Sequence, residues 1–189
     1  MARVYGIKKR LEKSGTSETL IKEIIGDGNL VNIITRMEKT LPLGQTLDIL
    51  DSCACGGGKE YINQCIKTGK EIADKTLSEK VEHINRISPD TDTVTLNTDN
   101  TITATWALAD GEKYKCLCSA AVKKGQIVAD LASDAAAPKM PLIYCFCCAG
   151  SGRRHLQLQL GAKLKTKQIV SSPINSKGKF PCKIIFETV

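Results

Sequence analysis

The sequence predicts an α+β fold in which N-terminal helices pack on an antiparallel sheet. Three observations carry that expectation. Apolar residues recur at three- and four-residue spacing through the first 88 residues, the period of helices with one buried face. After Pro89 the period changes to two, with Gly, Asn and Asp at the breaks, as in strands joined by tight turns. The composition, 42% hydrophobic and 25% charged over 189 residues, is that of a globular chain long enough to bury a real core. One domain is expected, with a helical half over 1–88 and an α+β half over 89–189 that carries most of the cysteines.

In the helical half, Leu20, Ile21, Ile24 and Ile25 form a stripe within Thr16 to Ile25, and Gly26 supplies a stop. Leu30, Ile33, Ile34 and Met37 continue the period in a second helix. Pro42 and Gly44 interrupt it, and Leu47, Ile49 and Leu50 begin a third. The stretch Asp51-Ser-Cys-Ala-Cys-Gly-Gly-Gly58 reads as a loop bearing a cysteine pair. Tyr61, Ile62, Cys65, Ile66, Gly69, Ile72 and Ala73 then line one helical face, so Cys65 is expected in the core as a small apolar residue. Thr76-Leu-Ser-Glu79 has the spacing of a capping box and opens a helix with Val81, Ile84 and Ile87. His83 lies off that stripe and has no expected role.

In the second half, Thr93 to Thr98 and Thr101 to Trp106 alternate about Asp99-Asn100, a predicted hairpin with Trp106 as a core anchor. Asp110-Gly111 turns the chain into a strand, Tyr114 to Cys118. A helix interrupted by Gly125 is expected within Ala120 to Asp134, and Ala135 to Pro141 is a connector. Pro141 to Cys147 reads as a buried strand and Gly150-Ser-Gly152 as a turn. His155 to Leu160 alternates, but its propensities are helical and Gly161 is placed as a C-cap. Lys163 to Val170, the turn Asn175-Ser-Lys-Gly178 and Phe180 to Phe186 form a last hairpin, with Cys182, Ile184 and Phe186 on its inner face.

Charge is unevenly placed. Residues 139–189 hold nine Lys or Arg against the single acid Glu187, a balance of +8 within a chain total of +7, and the rest stands at −1. Such a field favours an anionic ligand or partner. Aromatics are only 4% and no basic helix, RNP-like run or finger spacing is present, so nucleic acid is not the expected partner. Lys163, Lys165 and Lys167 alternate as an outward strand face would. No apolar run reaches the ~20 residues of a membrane span, and the N-terminal charges are followed by no secretory apolar stretch. A cytoplasmic location with reduced thiols is therefore expected for the nine cysteines, an odd number that suits a disulfide framework poorly. Whether the chain pairs with a second copy is left open.

Cys53-Ala-Cys55, Cys116-Leu-Cys118 and Cys145-Phe-Cys147 repeat one CxC unit in three segments. On a strand, residues two apart share a face, so Cys145 and Cys147 would project together. Two such pairs would complete a four-cysteine zinc or iron–sulfur site. The Cys53 loop is expected to come near Cys145 and Cys147. Beyond them Gly150, Ser151, Arg153, Arg154 and His155 would form a ligand site. A small-residue turn into a helix leaves N–H donors that, with the two arginines, would stabilise a carboxylate, a phosphate or a thiolate.

Strand, Cys145, small-residue turn, helix to Leu160-Gly161, strand, then Gly178-Lys-Phe-Pro-Cys-Lys-Ile-Ile-Phe186: this order resembles the V4R family over about the last fifty residues. The resemblance implies a small-molecule-binding module of the nitric-oxide-signalling and Golgi-transport type of α+β fold. It also implies a zinc site in which Cys145 or Cys147 and Cys182 would take part. The remaining ligands would fall near Ser171 and Ile174, which cannot supply the usual carboxylate and thiolate. The expected function is a small-molecule module for an anionic or thiol-seeking ligand, with a cysteine-rich site and zinc as the candidate metal. The enzyme alternative is a cysteine-dependent hydrolase or thiol oxidoreductase, for which His155 is the only nearby histidine. A third reading is that the thiols simply pack.

Overall fold

The computed structural model describes residues 2–53, 58–88, 92–116, 140–174 and 176–189, and among them lie seven α-helices and an antiparallel sheet of four strands. The predicted α+β architecture is what forms. Cys55, Pro89, Cys118, the expected helix in 120–134 and Asn175 lie outside the described residues.

Four helices come first: α1 (Ala2–Lys13), α2 (Glu18–Ile25), α3 (Leu30–Thr40) and α4 (Leu43–Ser52). The sequence pattern singles out no element before Thr16, and α1 fills that stretch. Helix starts are set by side chains that take up otherwise orphaned N–H groups. Ser17 accepts from Leu20, and Asn29 accepts from both Val31 and Asn32. Ile7, Leu11, Ile21, Ile24, Ile33, Ile34, Met37 and Leu50 turn inward and build the first hydrophobic cluster.

Helices α5 (Lys59–Glu71) and α6 (Leu77–Ile87) lead into the sheet. The capping box at Thr76 is complete: its hydroxyl accepts from the Glu79 N–H, and the Glu79 carboxylate accepts from the Thr76 N–H at 2.8 Å. Strands β1 (Asp92–Leu96) and β2 (Ile102–Trp106) form the first hairpin, turning where Asn100 takes a φ of 60°. A small separate hairpin, β3 (Leu108–Asp110) and β4 (Lys113–Lys115), follows. Strands β5 (Leu164–Ser171) and β6 (Cys182–Thr188) complete the sheet in the order β1-β2-β6-β5. Ile102 lies opposite Phe186, Ala104 opposite Ile184 and Trp106 opposite Cys182, so the inner faces of both hairpins coincide. As predicted, Cys182, Ile184 and Phe186 are buried and Lys183 is exposed between them. The second cluster sits here, with Ile72, Val81 and Ile84 covering Val94, Ile102, Ile184 and Phe186.

Both edges of the sheet are guarded. The Asn85 carboxamide bonds the Val94 N–H and C=O, each at 2.7 Å, and so stands in for a further strand beside β1. At the other edge β5 carries exposed Lys165 and Lys167 and two register shifts, features that discourage strand addition.

The largest departure from expectation is Pro141 to Gly152. Leu142–Tyr144 is a 3₁₀ turn running directly into α7 (Cys145–Leu160), a 16-residue helix closed by Gly161 at φ 67°. The predicted strand is helical, and the predicted Gly150-Ser-Gly152 turn lies inside that helix. Residues two apart on a helix point about 200° away from each other, so Cys145 and Cys147 do not share a face.

Candidate functional site

Helix α7 is the centre of the molecule, and two of its glycines explain how it gets there. A β-carbon at Gly150 would overlap the Asp51 carbonyl oxygen, so the last turn of α4 meets α7 backbone to backbone. A β-carbon at Gly152 would overlap the Trp106 ring, which rests on the helix there and meets Phe186 edge-on with centroids 6.3 Å apart. On the α5 side the same close approach falls on the partner: a β-carbon at Gly69 would overlap the Leu158 carbonyl oxygen.

Arg153 follows Gly150 by one turn and reaches the same part of α4. Its Nη2 lies 2.5 Å and its Nε 3.3 Å from the two oxygens of the Asp51 carboxylate, while Nη1 donates to Gln157 at 2.8 Å. The Asp51 carboxylate also accepts from the Thr166 hydroxyl at 2.8 Å, and Gln157 Oε1 accepts from the Leu164 N–H at 3.1 Å. The pair is three-quarters or more buried on both sides. The guanidinium predicted to attract an anionic ligand is thus already held by an internal carboxylate.

The cysteines of α7 diverge. Cys145 shares the helix side of Ala149, Gly152 and Leu156, which faces the sheet, where Cys182 pairs across the strands with Trp106. Cys147 turns to the helical core and belongs to the first cluster, and half-buried Cys148 packs against that cluster. Half-buried Cys53, at the C-cap of α4, and half-buried Cys116, just past β4, pack against it too. The Cys147 thiol donates to the Cys53 carbonyl at 3.6 Å, so the expected approach of the Cys53 segment to α7 is made with Cys147, over the helical core and not over the sheet. Among the described residues no three Cys, His, Asp or Glu side chains gather closely enough to hold a metal ion. The described thiols therefore supply half of a tetrahedral zinc set at most.

The donor nest expected at Gly150 to Gly152 is not formed, because these residues lie inside α7, which begins five residues earlier at Cys145. Ser151 is half-buried and Arg154 is exposed on the helix. His155 meets the Tyr61 ring edge-on at 4.7 Å. One turn beyond Tyr61, Cys65 is fully buried and has its thiol pushed up by burial. That places Cys65 in the core, as expected, and makes it a poor nucleophile.

Asp51, Gln157 and Thr166 are absent from the sequence reading of the site. Asp51 meets Arg153 across 102 residues and Thr166 across 115, which no local spacing marks, whereas Gln157 stands one helical turn after Arg153, a spacing that has meaning only once Arg153 is placed on a helix. Asp51 opens the stretch 51–58 expected as a loop, but Asp51 and Ser52 belong to the last turn of α4. Compared with protein-family models, with curated proteins and with solved structures, the chain matches none.

Proposed function

We propose that the protein is a binding module for a small thiol-seeking ligand or a soft metal ion, held on the Cys147 side of α7. The observation that carries this reading is the contact of the Cys147 thiol with the Cys53 backbone carbonyl across 94 residues, with Cys53, Cys116 and Cys148 packed on the same cluster. Each of the three CxC units thereby contributes one described cysteine to one region of the molecule. Thiolates select soft ions and thiophilic groups, and the first turn of α7, whose dipole favours negative charge, carries Cys147 and Cys148. Zinc would use Cys53 and Cys147 as part of its set. Of the order that carries the V4R resemblance, the helix to Gly161, β5, the Gly178 turn and the Cys182 strand remain in support, while the strand and the small-residue turn expected before the helix are absent, both stretches being helical. The anionic preference expected of the ligand loses Arg153 and retains only the exposed Arg154.

The test is metal analysis of protein purified without a histidine tag, followed by titration of the reduced protein with Cd²⁺ and observation of the thiolate charge-transfer absorption. Wild type is expected to bind, and Cys53→Ser and Cys147→Ser are each expected to lose the band, with Cys65→Ser unaffected. No metal and no band in wild type, or a band indifferent to both substitutions, would sink the reading.

A further inference from the structure

The geometry points to Arg153 and Asp51 as positioning residues that set Cys53 against Cys147, an inference that rests on the reading of these thiols as the binding site. Asp51 lies two residues before Cys53, within the last turn of α4. Its carbonyl packs on Gly150, and Cys147 lies three residues before Gly150 on α7. The backbone crossing and the contact of the Cys147 thiol with the Cys53 carbonyl are therefore one helical turn apart on α7 and two residues apart in the α4 segment.

Close packing alone allows one helix to slide along another. The carboxylate removes that freedom. Arg153 grips both of its oxygens, Thr166 of β5 donates to one of them, and Gln157 holds the far side of the guanidinium while bonding Leu164. Three elements, α4, α7 and β5, are thus tied at one carboxylate. Cys53 is fixed in turn by its own N–H, which donates to the Ile49 and Leu50 carbonyls at 3.0 and 3.1 Å. A ligand taken up at Cys147 meets a Cys53 backbone already held in place, as a preorganised site requires. The planar fork of Arg matches this task, because it spans both carboxylate oxygens and still reaches Gln157. A lysine ammonium cannot do both. The site is in this way linked through Thr166 to the sheet, an element that contributes none of the thiols on the Cys147 side.

The test has two arms, each applied to Arg153→Gln, to Arg153→Lys and to the exchange of Asp51→Arg with Arg153→Asp. In the metal-free protein, native alkylation with iodoacetamide is followed cysteine by cysteine by mass spectrometry. Cys53 is expected to react about tenfold faster in Arg153→Gln, less so in Arg153→Lys, and nearer the wild-type rate in the exchange, while buried Cys65 keeps its rate throughout. Cd²⁺ affinity is expected to fall about tenfold in Arg153→Gln, as losses of supporting residues around metal sites do. A wild-type rate at Cys53 in Arg153→Gln, or equal acceleration of Cys53 and Cys65, overturns the positioning role. If wild type binds no Cd²⁺, the binding reading falls, and the alkylation arm still decides whether Arg153 holds Cys53 in place.

Discussion

An unneeded glycine inside a helix costs about 0.5–1 kcal/mol relative to alanine, yet α7 contains two, Gly150 and Gly152. Both are contact points where a side chain would displace a neighbour's backbone or a tryptophan ring. Gly150→Ala is therefore expected to lower stability by about 1–3 kcal/mol, as overpacking does. Gly6, inside α1, has open space where a methyl group would sit, with nothing within 4 Å, and Gly6→Ala is expected to raise stability by about 0.5–1 kcal/mol. Urea unfolding midpoints of the two variants should move in opposite directions, and a shared direction would refute the packing account. The same glycines show where sequence reading loses its grip. Gly-Ser-Gly after an apolar run looks like a turn, because local chemistry cannot distinguish a glycine chosen for its backbone from one chosen for its missing side chain. Leu142 to Cys148 adds to the ambiguity, since a short apolar run bounded by glycine is equally a buried strand or a buried helical turn.

At the scale of elements, features with a local chemical signature were legible. The Thr76 capping box, the Asp99-Asn100 turn, the Gly161 cap and the alternation of β6 all formed where their residues indicate. The strand register makes a further expectation concrete. Phe186→Ala, which empties a fully buried position against Trp106, is expected to cost about 3–5 kcal/mol. Lys183→Ala on the exposed face is expected to stay within about 0.5 kcal/mol. Comparable losses in thermal or urea unfolding would contradict the register. The cap on α6 adds a pH dependence. Bonds from the Thr76 hydroxyl and then from the Thr76 N–H hold the Glu79 carboxyl below its ordinary value of 4.5. A carboxyl lowered by folding contributes stability above its unfolded value and loses that contribution as pH falls through its folded value. Glu79→Gln keeps a cap at every pH. The stability gap between wild type and Glu79→Gln should therefore narrow as the medium is acidified below pH 4.5, and a gap that does not change would count against the cap.

At the scale of the whole molecule, what the sequence conceals is long-range pairing. Periodicity identifies which residues turn inward, but not that they divide between two clusters, nor that one helix serves both. Tyr144 and Cys147 near the start of α7 belong to the helical cluster, while Ala149, Leu156 and Leu160 belong to the cluster on the sheet. The candidate site was partly concealed for the same reason: the cysteine units are visible as repeats, but the contact of Cys147 with Cys53 across 94 residues and that of Thr166 with Asp51 across 115 are not.

A helix anchored at one end in each cluster has a consequence for how the protein opens. Withdrawing α7 from the sheet would also pull Tyr144 and Cys147 out of the helical cluster, so the two halves cannot come apart in sequence at small cost. Native-state hydrogen exchange is therefore expected to give the buried amides of α3 and β6 the same opening free energy and the same denaturant dependence, the behaviour of one cooperative unit. Two separate exchange isotherms would show instead that the halves melt as independent foldons.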